Sequence, residues 1–350
     1  MRPALKPGLQ PVWRNRDTVQ IGIDPRRAIA LTGMRGAAAL LGLLDGSRDY
    51  AQVLAAAHDL GIGAETADRV IALLAAGGAL DDFPASAYRA LPDGLRKRLA
   101  PELATAALAH GDGDGGARTL ARRRAAYVRV HGTSRPGLCA ASLLGAAGIG
   151  LVVSAGPART RDVATGARTG PPGSARTGPP GHGRTIPPGH GRTGPDGRPR
   201  RRPDLVILAD THDRELPAAL VRRQIPHLAA YACEAIGVLG PLVMPGRSAC
   251  LRCMDLARTE RDPAWPLILA QLAGQAADPP ACDAVLATAV AAHAAAQALA
   301  FIDRGDAAVA VTNGTLELVL PDWQWKRRTW QPHHRCDCGT PAPSDRQWKL

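Results

Sequence analysis

Cys250-Leu-Arg-Cys253 and Cys336-Asp-Cys338 are the residues of this 350-residue chain with the most definite chemistry. Each short turn can present two sulfurs from one side, and two such pairs are what a closed tetrahedral Zn²⁺ site needs. The second pair is CxC, tighter than the CxxC of a regular knuckle, so His333 or His334 is an alternative to one sulfur. A site closed by four protein ligands has no open coordination position, and it stabilises a fold rather than catalysing. The competing reading is four reduced, exposed thiols, which are liable to oxidation.

Three further features carry possible chemistry. Gly132-Thr133-Ser134-Arg135-Pro136-Gly137 follows the apolar run YVRVH and opens a run of small residues. A GxGxxG turn in that setting lets the backbone approach phosphates at a helix N-terminus. Here Ser134 stands at the middle glycine and Pro136 offers no amide donor, so the turn points more firmly to strand–turn–helix than to a nucleotide. Asp210 closes a second apolar run, LVILAD. Cys282 precedes a long apolar helix, whose N-terminus favours a thiolate and so a nucleophile. Its alanine-rich surroundings suit a buried small thiol at least as well, and Cys139 and Cys233 lie inside apolar elements.

These residues must be held by elements built largely from Ala, Leu, Val and Ile, since the chain is 45% hydrophobic but only 3% aromatic. Residues 1–84 form one compact pattern. Short strands are expected at Thr18–Ile23 and Ala28–Thr32, then helices at Gly36–Leu44, Tyr50–Leu60 and Ala64–Ala75 with apolar residues at helical spacing. Strands and helices in that order make a winged-helix-like unit, able to offer a helix to DNA or a strand edge to a peptide. Residues 85–124 read as a polar linker with one short helix, Leu95–Ala109. From residue 125, strands at 127–132, 148–154, 204–208, 238–244 and 314–320 alternate with helices at 137–147 and 283–303. That alternation implies an α/β, at least partly parallel sheet.

The net charge of +12 is unevenly placed. Between Arg159 and Arg202 ten arginines stand against two acids, Asp162 and Asp196, so that window carries eight of the twelve positive charges. It contains a period-eight repeat (RTGPPGSA, RTGPPGHG, RTIPPGHG, RTGPDGRP) too rich in Pro and Gly for regular structure, and is expected to be disordered. Charge confined to such a stretch argues against nucleic-acid binding as the main function; the second helix, DYAQVLAAAHDLG, also has no Arg or Lys for phosphates. No membrane span is expected, because Ala284–Ile302 is interrupted by Thr288, His293 and Gln297. The amino terminus has no apolar signal-type region. A cytoplasmic protein with reduced thiols or metal-bound cysteines is therefore expected.

Residues 203–255, from PDLVILAD through GVLGPLVMPGRSACLRCMD, resemble the middle of ThiF-like domains of the ubiquitin-activating-enzyme-like superfamily. The likeness runs over 125–338, with a tail at 339–350. It implies a Rossmann-like sheet domain carrying a zinc knuckle, with Asp210 at the family's acidic residue for the metal-bound triphosphate. Gly237, Gly240, Pro245, Gly246, Cys250 and Cys253 match the segment leading to zinc. LLDGSRDYAQVLAAAHDLGI and VIALLAAGGALDDF resemble the PqqD-type leader-peptide recognition modules. Together they resemble the leader-binding components of azole-forming, thiazole/oxazole-modified microcin systems. That resemblance implies a precursor-peptide partner, a YcaO-type cyclodehydratase partner that uses ATP, and homodimers.

Active members adenylate a partner's carboxyl terminus with ATP and Mg²⁺. They need an acidic pair after the second strand and an Asn-Leu-x-Arg-Gln run. No Asp or Glu occurs here between Gly150 and Arg161, and the only asparagines are Asn15 and Asn313. The nucleotide site therefore reads as degenerate, and the leading expectation is a peptide-binding scaffold. An adenylyltransferase using Gly132, Ser134, Gly137 and Asp210 is the alternative, and a DNA-binding regulator the third.

Overall fold

The computed structural model describes residues 1–34, 36–82, 92–155, 201–209, 213–272 and 281–340. Asp210, nearly all of the arginine repeat and the tail beyond residue 340 lie outside them. The chain divides into two compact units, Met1–Arg124 and Ala125–Leu350.

The first unit runs β1 (Pro3–Leu5), β2 (Pro11–Asn15), β3 (Thr18–Ile21), β4 (Ile29–Thr32), α1 (Ala37–Leu41), α2 (Tyr50–Asp59), α3 (Ala64–Ala76), β5 (Leu80–Asp82), α4 (Asp93–His110) and α5 (Ala117–Ala125). Strands β2, β3 and β4 form an antiparallel sheet in that order, and β1 pairs with β5. Val19, Ile21 and Leu31 on one face of that sheet join Leu40, Val53, Val70, Ile71 and Leu74 in a single core. Asp49 starts α2 with a reciprocal capping box, accepting from the Gln52 amide while the Gln52 side chain accepts from its own. The three-stranded sheet has one strand more than the two expected, because β2 opens on Pro11, is exposed throughout and ends in Arg14 and Asn15, which suit a loop as well as an edge.

Residues 92–124 carry two helices, where composition suggested one. Lys6 fastens α4 to β1: its buried ammonium donates to the Ala107 carbonyl at 3.0 Å and lies 3.5 Å from the equally buried Asp81. Burial pushes the Asp81 carboxyl up, and Lys6 opposes that shift.

The second unit runs β6 (Tyr127–His131), α6 (Arg135–Ala146), β7 (Leu151–Ala155), β8 (Leu205–Leu208), α7 (Glu215–Arg222), β9 (His227–Cys233), β10 (Ile236–Val243), α8 (Leu251–Arg261), α9 (Trp265–Leu272), α10 (Ala284–Arg304), β11 (Gly314–Val319) and β12 (Gln324–Thr329). Its seven-stranded sheet has the order β12-β11-β10-β9-β8-β6-β7. The half from β7 to β9 is parallel, and β10 to β12 continue it antiparallel. This is a mixed α/β, Rossmann-like sheet.

Strand β8, Leu-Val-Ile-Leu, is buried on both faces, which is why it reads as an unbroken apolar run. Leu205 and Ile207 face a core shared with α6 and α10, while Val206 and Leu208 face α7. Helix α10 is long and apolar enough, by length and composition, to cross a membrane. Its residues Leu286, Val290, Ala294 and Ala298 pack in the sheet core, so the helix serves as a core layer. Gly237 permits that packing: a Cβ there would stand 2.5 Å from Val290 Cγ2.

Candidate metal centre and phosphate-type turn

Cys250 is the N-cap of α8 and Cys253 lies within its first turn. Those two places on a helix face the same side, so their sulfurs stand 3.7 Å apart. The C-terminal pair arrives from the other side: Cys336 Sγ is 3.6 Å from Cys250 Sγ, and Cys338 Sγ is 3.7 Å from Cys253 Sγ. All four sulfurs lie within 4.8 Å of one another, a group that could hold a metal ion. Sulfurs bound at ~2.3 Å to a tetrahedral centre are about 3.8 Å apart, so the spacing fits.

Cys250, Cys253 and Cys336 depart far from the ordinary behaviour of a thiol. Hydrogen bonding from Cys250 holds Cys253 down at about 5, while the same contact and burial push Cys250 far up. Burial raises Cys336 to about 12. Four thiols so close cannot all ionise without a cation, and a helix N-terminus is where the first thiolate is best tolerated.

The cluster is made of four sulfurs, and His333 and His334 stand outside it, beside Glu260. His333 Nε2 sits 2.9 Å from Glu260 Oε1, and His333 Nδ1 accepts from the Arg335 amide. Both ring nitrogens are thus engaged, and His333 stacks on His334 at 4.6 Å between centroids. The pair Glu260–His333 clamps the C-terminal loop onto α8. Trp330 closes the floor: its indole donates to Thr315 Oγ1 at 3.0 Å, with Arg258 and Arg328 near its ring at 5.1 and 5.7 Å. Asn313 Oδ1 accepts from the Ala249 amide at 2.7 Å, tying the entry of α8 to β11. The Cys pattern alone carried no signal for Glu260, Asn313 or Thr315, since each acts through one long-range bond.

At the phosphate-type turn, Ser134 is the N-cap of α6 and its hydroxyl accepts from the Gly137 amide. The same hydroxyl donates to the Ala209 carbonyl at 2.8 Å, stitching the turn to the end of β8. Gly132 has φ +110°, a conformation that favours glycine. Gly137 is pressed against the same strand end, and a Cβ there would meet Ala209 Cβ at 2.6 Å. The turn therefore closes helix on strand.

Cys282 is buried, its thiol pushed up chiefly by that burial, with Sγ 3.7 Å from the Asp283 carbonyl. A nucleophile needs the opposite shift. Asp283 caps α10 by accepting from the Leu286 amide at 2.7 Å, and Arg135 Nη1 donates to the Cys282 carbonyl at 3.3 Å. Cys139 and Cys233 are partly buried, and neither belongs to the four-sulfur cluster.

Three solved structures share this architecture over 97% of the chain. Escherichia coli MccB with succinimide matches at a TM-score of 0.61 and 13% identity, over 99% of its own chain. The fold is that of MccB. MccB with AMPCPP and MccA matches at 0.61 and 13% identity over all of its chain, and is also known as the microcin C7 biosynthetic enzyme. A heterocyclase in complex with substrate and cofactor matches at 0.60 and 14% identity, over 39% of its longer chain. No protein-family model and no curated protein sequence matches the chain. The likeness to MccB is thus one of fold, and it runs over both units.

Proposed function

We propose that this chain binds a precursor peptide through its first unit and uses the second, ThiF-like unit as a zinc-clasped scaffold in an azoline-forming peptide-modification system. The observation that carries this reading is the length of the likeness to MccB. It spans 97% of this chain and 99% of that enzyme, so it includes the first unit as well as the sheet domain. MccB is seen bound to MccA, and the heterocyclase to its substrate. The first unit, read as a winged-helix-like module, offers the outer edge of β4, which pairs with no other strand among the described residues. An extended leader adding there would gain main-chain hydrogen bonds, with side-chain pockets giving specificity. A YcaO-type enzyme is the proposed ATP-using partner, and a homodimer the proposed assembly.

Cys250, Cys253, Cys336 and Cys338 are the proposed ligands of a structural Zn²⁺. Four sulfurs at tetrahedral spacing suit that ion, and they leave no position for substrate. The degenerate nucleotide site is supported by the double use of the Ser134 hydroxyl within the protein, by Pro136, and by the lack of acids between Gly150 and Arg161.

A second reading is an adenylyltransferase, favoured by the MccB structures that hold ATP or AMPCPP. Its phosphates would lie on the amides of residues 132–137, with Asp210 on Mg²⁺. Calorimetry with ATP and Mg²⁺ on zinc-replete protein separates the two. No binding, and no ATP–pyrophosphate exchange, supports the scaffold. Micromolar binding lost in Asp210→Ala makes the adenylyltransferase the better reading. Loss of precursor-peptide binding in Ala30→Pro would support the β4 edge, and binding unchanged in that variant would remove it.

A further inference from the structure

Strand β2 is exposed along its whole length, and it carries Val12, Trp13 and Arg14, with Arg16 in the turn that follows. Trp13 is directly opposite Val19, which is buried, so the indole leaves the sheet on its core face. Yet Trp13 is 65% exposed, which means the ring overhangs the rim of the core without being covered by it. Neither Arg14 nor Arg16 has an ion-pair partner among the described residues. The one carboxylate between residues 10 and 23 is Asp17, in the turn. An exposed tryptophan flanked by unpaired arginines has the composition of an interface hot spot.

The edge itself is a poor strand acceptor. Pro11 has no amide to donate, and the pairing of β2 with β3 is irregular between Trp13 and Asn15. Recognition here must come from side chains, unlike strand addition at β4. A second copy of the chain would set Arg14 and Arg16 against their own counterparts, which like-charge repulsion disfavours.

We propose that Trp13, Arg14 and Arg16 form a docking surface for an acidic segment of a partner protein, with an apolar side chain of that segment packed on the indole and its carboxylates on the arginines. This surface is independent of the peptide reading of β4.

The test uses the full chain and two labelled octapeptides, one alternating Glu and Leu, the other Lys and Leu, followed by fluorescence polarisation. The acidic peptide is expected to bind, weakening about tenfold or more in Trp13→Ser and in the double variant Arg14→Glu/Arg16→Glu. Binding should weaken with added salt and persist in Ala30→Pro. Circular dichroism of the variants should match the wild type, because the substituted side chains are exposed. Equal binding of the lysine peptide, no binding of the acidic one, or binding indifferent to the β2 variants would overturn the proposal. So would a Trp13-dependent dimer in sedimentation, or capture by anionic vesicles without peptide binding.

Discussion

Ser134 and Ala209 are joined by one hydrogen bond of 2.8 Å that crosses from the turn after β6 to the end of β8. The same hydroxyl caps α6 through the Gly137 amide, so one oxygen fixes both the start of the helix and its seat on the sheet. Ser134→Ala should cost about 1–2 kcal/mol, the sum of a lost cap and a lost part-buried hydrogen bond. Urea unfolding would measure it. A stability change within error would mean that water replaces the hydroxyl without loss.

Gly137 presses on the same strand end. Adding a methyl group at a point 2.6 Å from Ala209 Cβ forces the helix away from β8. Gly137→Ala is expected to destabilise by about 1–3 kcal/mol, whereas Gly145→Ala on the same helix, with no described residue within 4 Å of its Cβ, should be neutral or mildly stabilising. Thermal melts of the two variants give the comparison.

The four-sulfur cluster should bind one metal ion per chain. Elemental analysis of purified protein should find zinc, and Cys253→Ser or Cys338→Ser should lower it to background. Losing the ion leaves crowded thiols at the base of the Trp330 core, and the expected destabilisation is on the order of 5 kcal/mol or more. Wild-type stability after exhaustive chelation would refute a structural role.

His227 is buried at the start of β9. Its Nδ1 lies 3.0 Å from the Ile225 carbonyl, while Nε2 has no hydrogen-bond partner among the described residues. Burial holds this imidazole down at about 4, against an ordinary value of 6.5. The folded state thus keeps it neutral where the unfolded chain takes a proton. Stability should be constant with respect to this group above pH 6.5 and fall by about 3 kcal/mol as the pH drops from 6.5 to 4. His227→Gln should flatten that part of the stability profile, measured by denaturant midpoints; an unchanged slope would assign it to other groups.

What could be read in advance follows from how local each signal is. Strand β8 and helix α10 announce themselves by continuous apolar runs, and the two cysteine pairs by spacing. Strand β9 was missed because HLAAYAC is alanine-rich and its first four residues are buried on both faces, so it shows no apolar–polar alternation. Helix α9 has no buried residue, so its apolar sequence gave no periodic stripe to read. That His333 pairs with Glu260, 73 residues before it, and stands outside the sulfur cluster is a relation that no local pattern encodes. Strand β12 was masked by Lys326, Arg327 and Arg328, which suit an exposed edge but resemble loop composition.

Cys250 and Cys336 are 86 residues apart in the chain. At a synthesis rate of ~5–20 residues per second, the second pair follows the first out of the ribosome by roughly 4 to 17 s. Through that interval Cys250 and Cys253 are an open dithiol at a forming helix start, with α10, β11 and β12 still to emerge. The clasp can close only once those elements have been laid against the sheet, so metal capture would report completion of the domain rather than initiate it. On the zinc reading proposed above, metal supply would govern how long newly made chains stay open to oxidation and proteolysis, with little bearing on how quickly the parallel half of the sheet assembles.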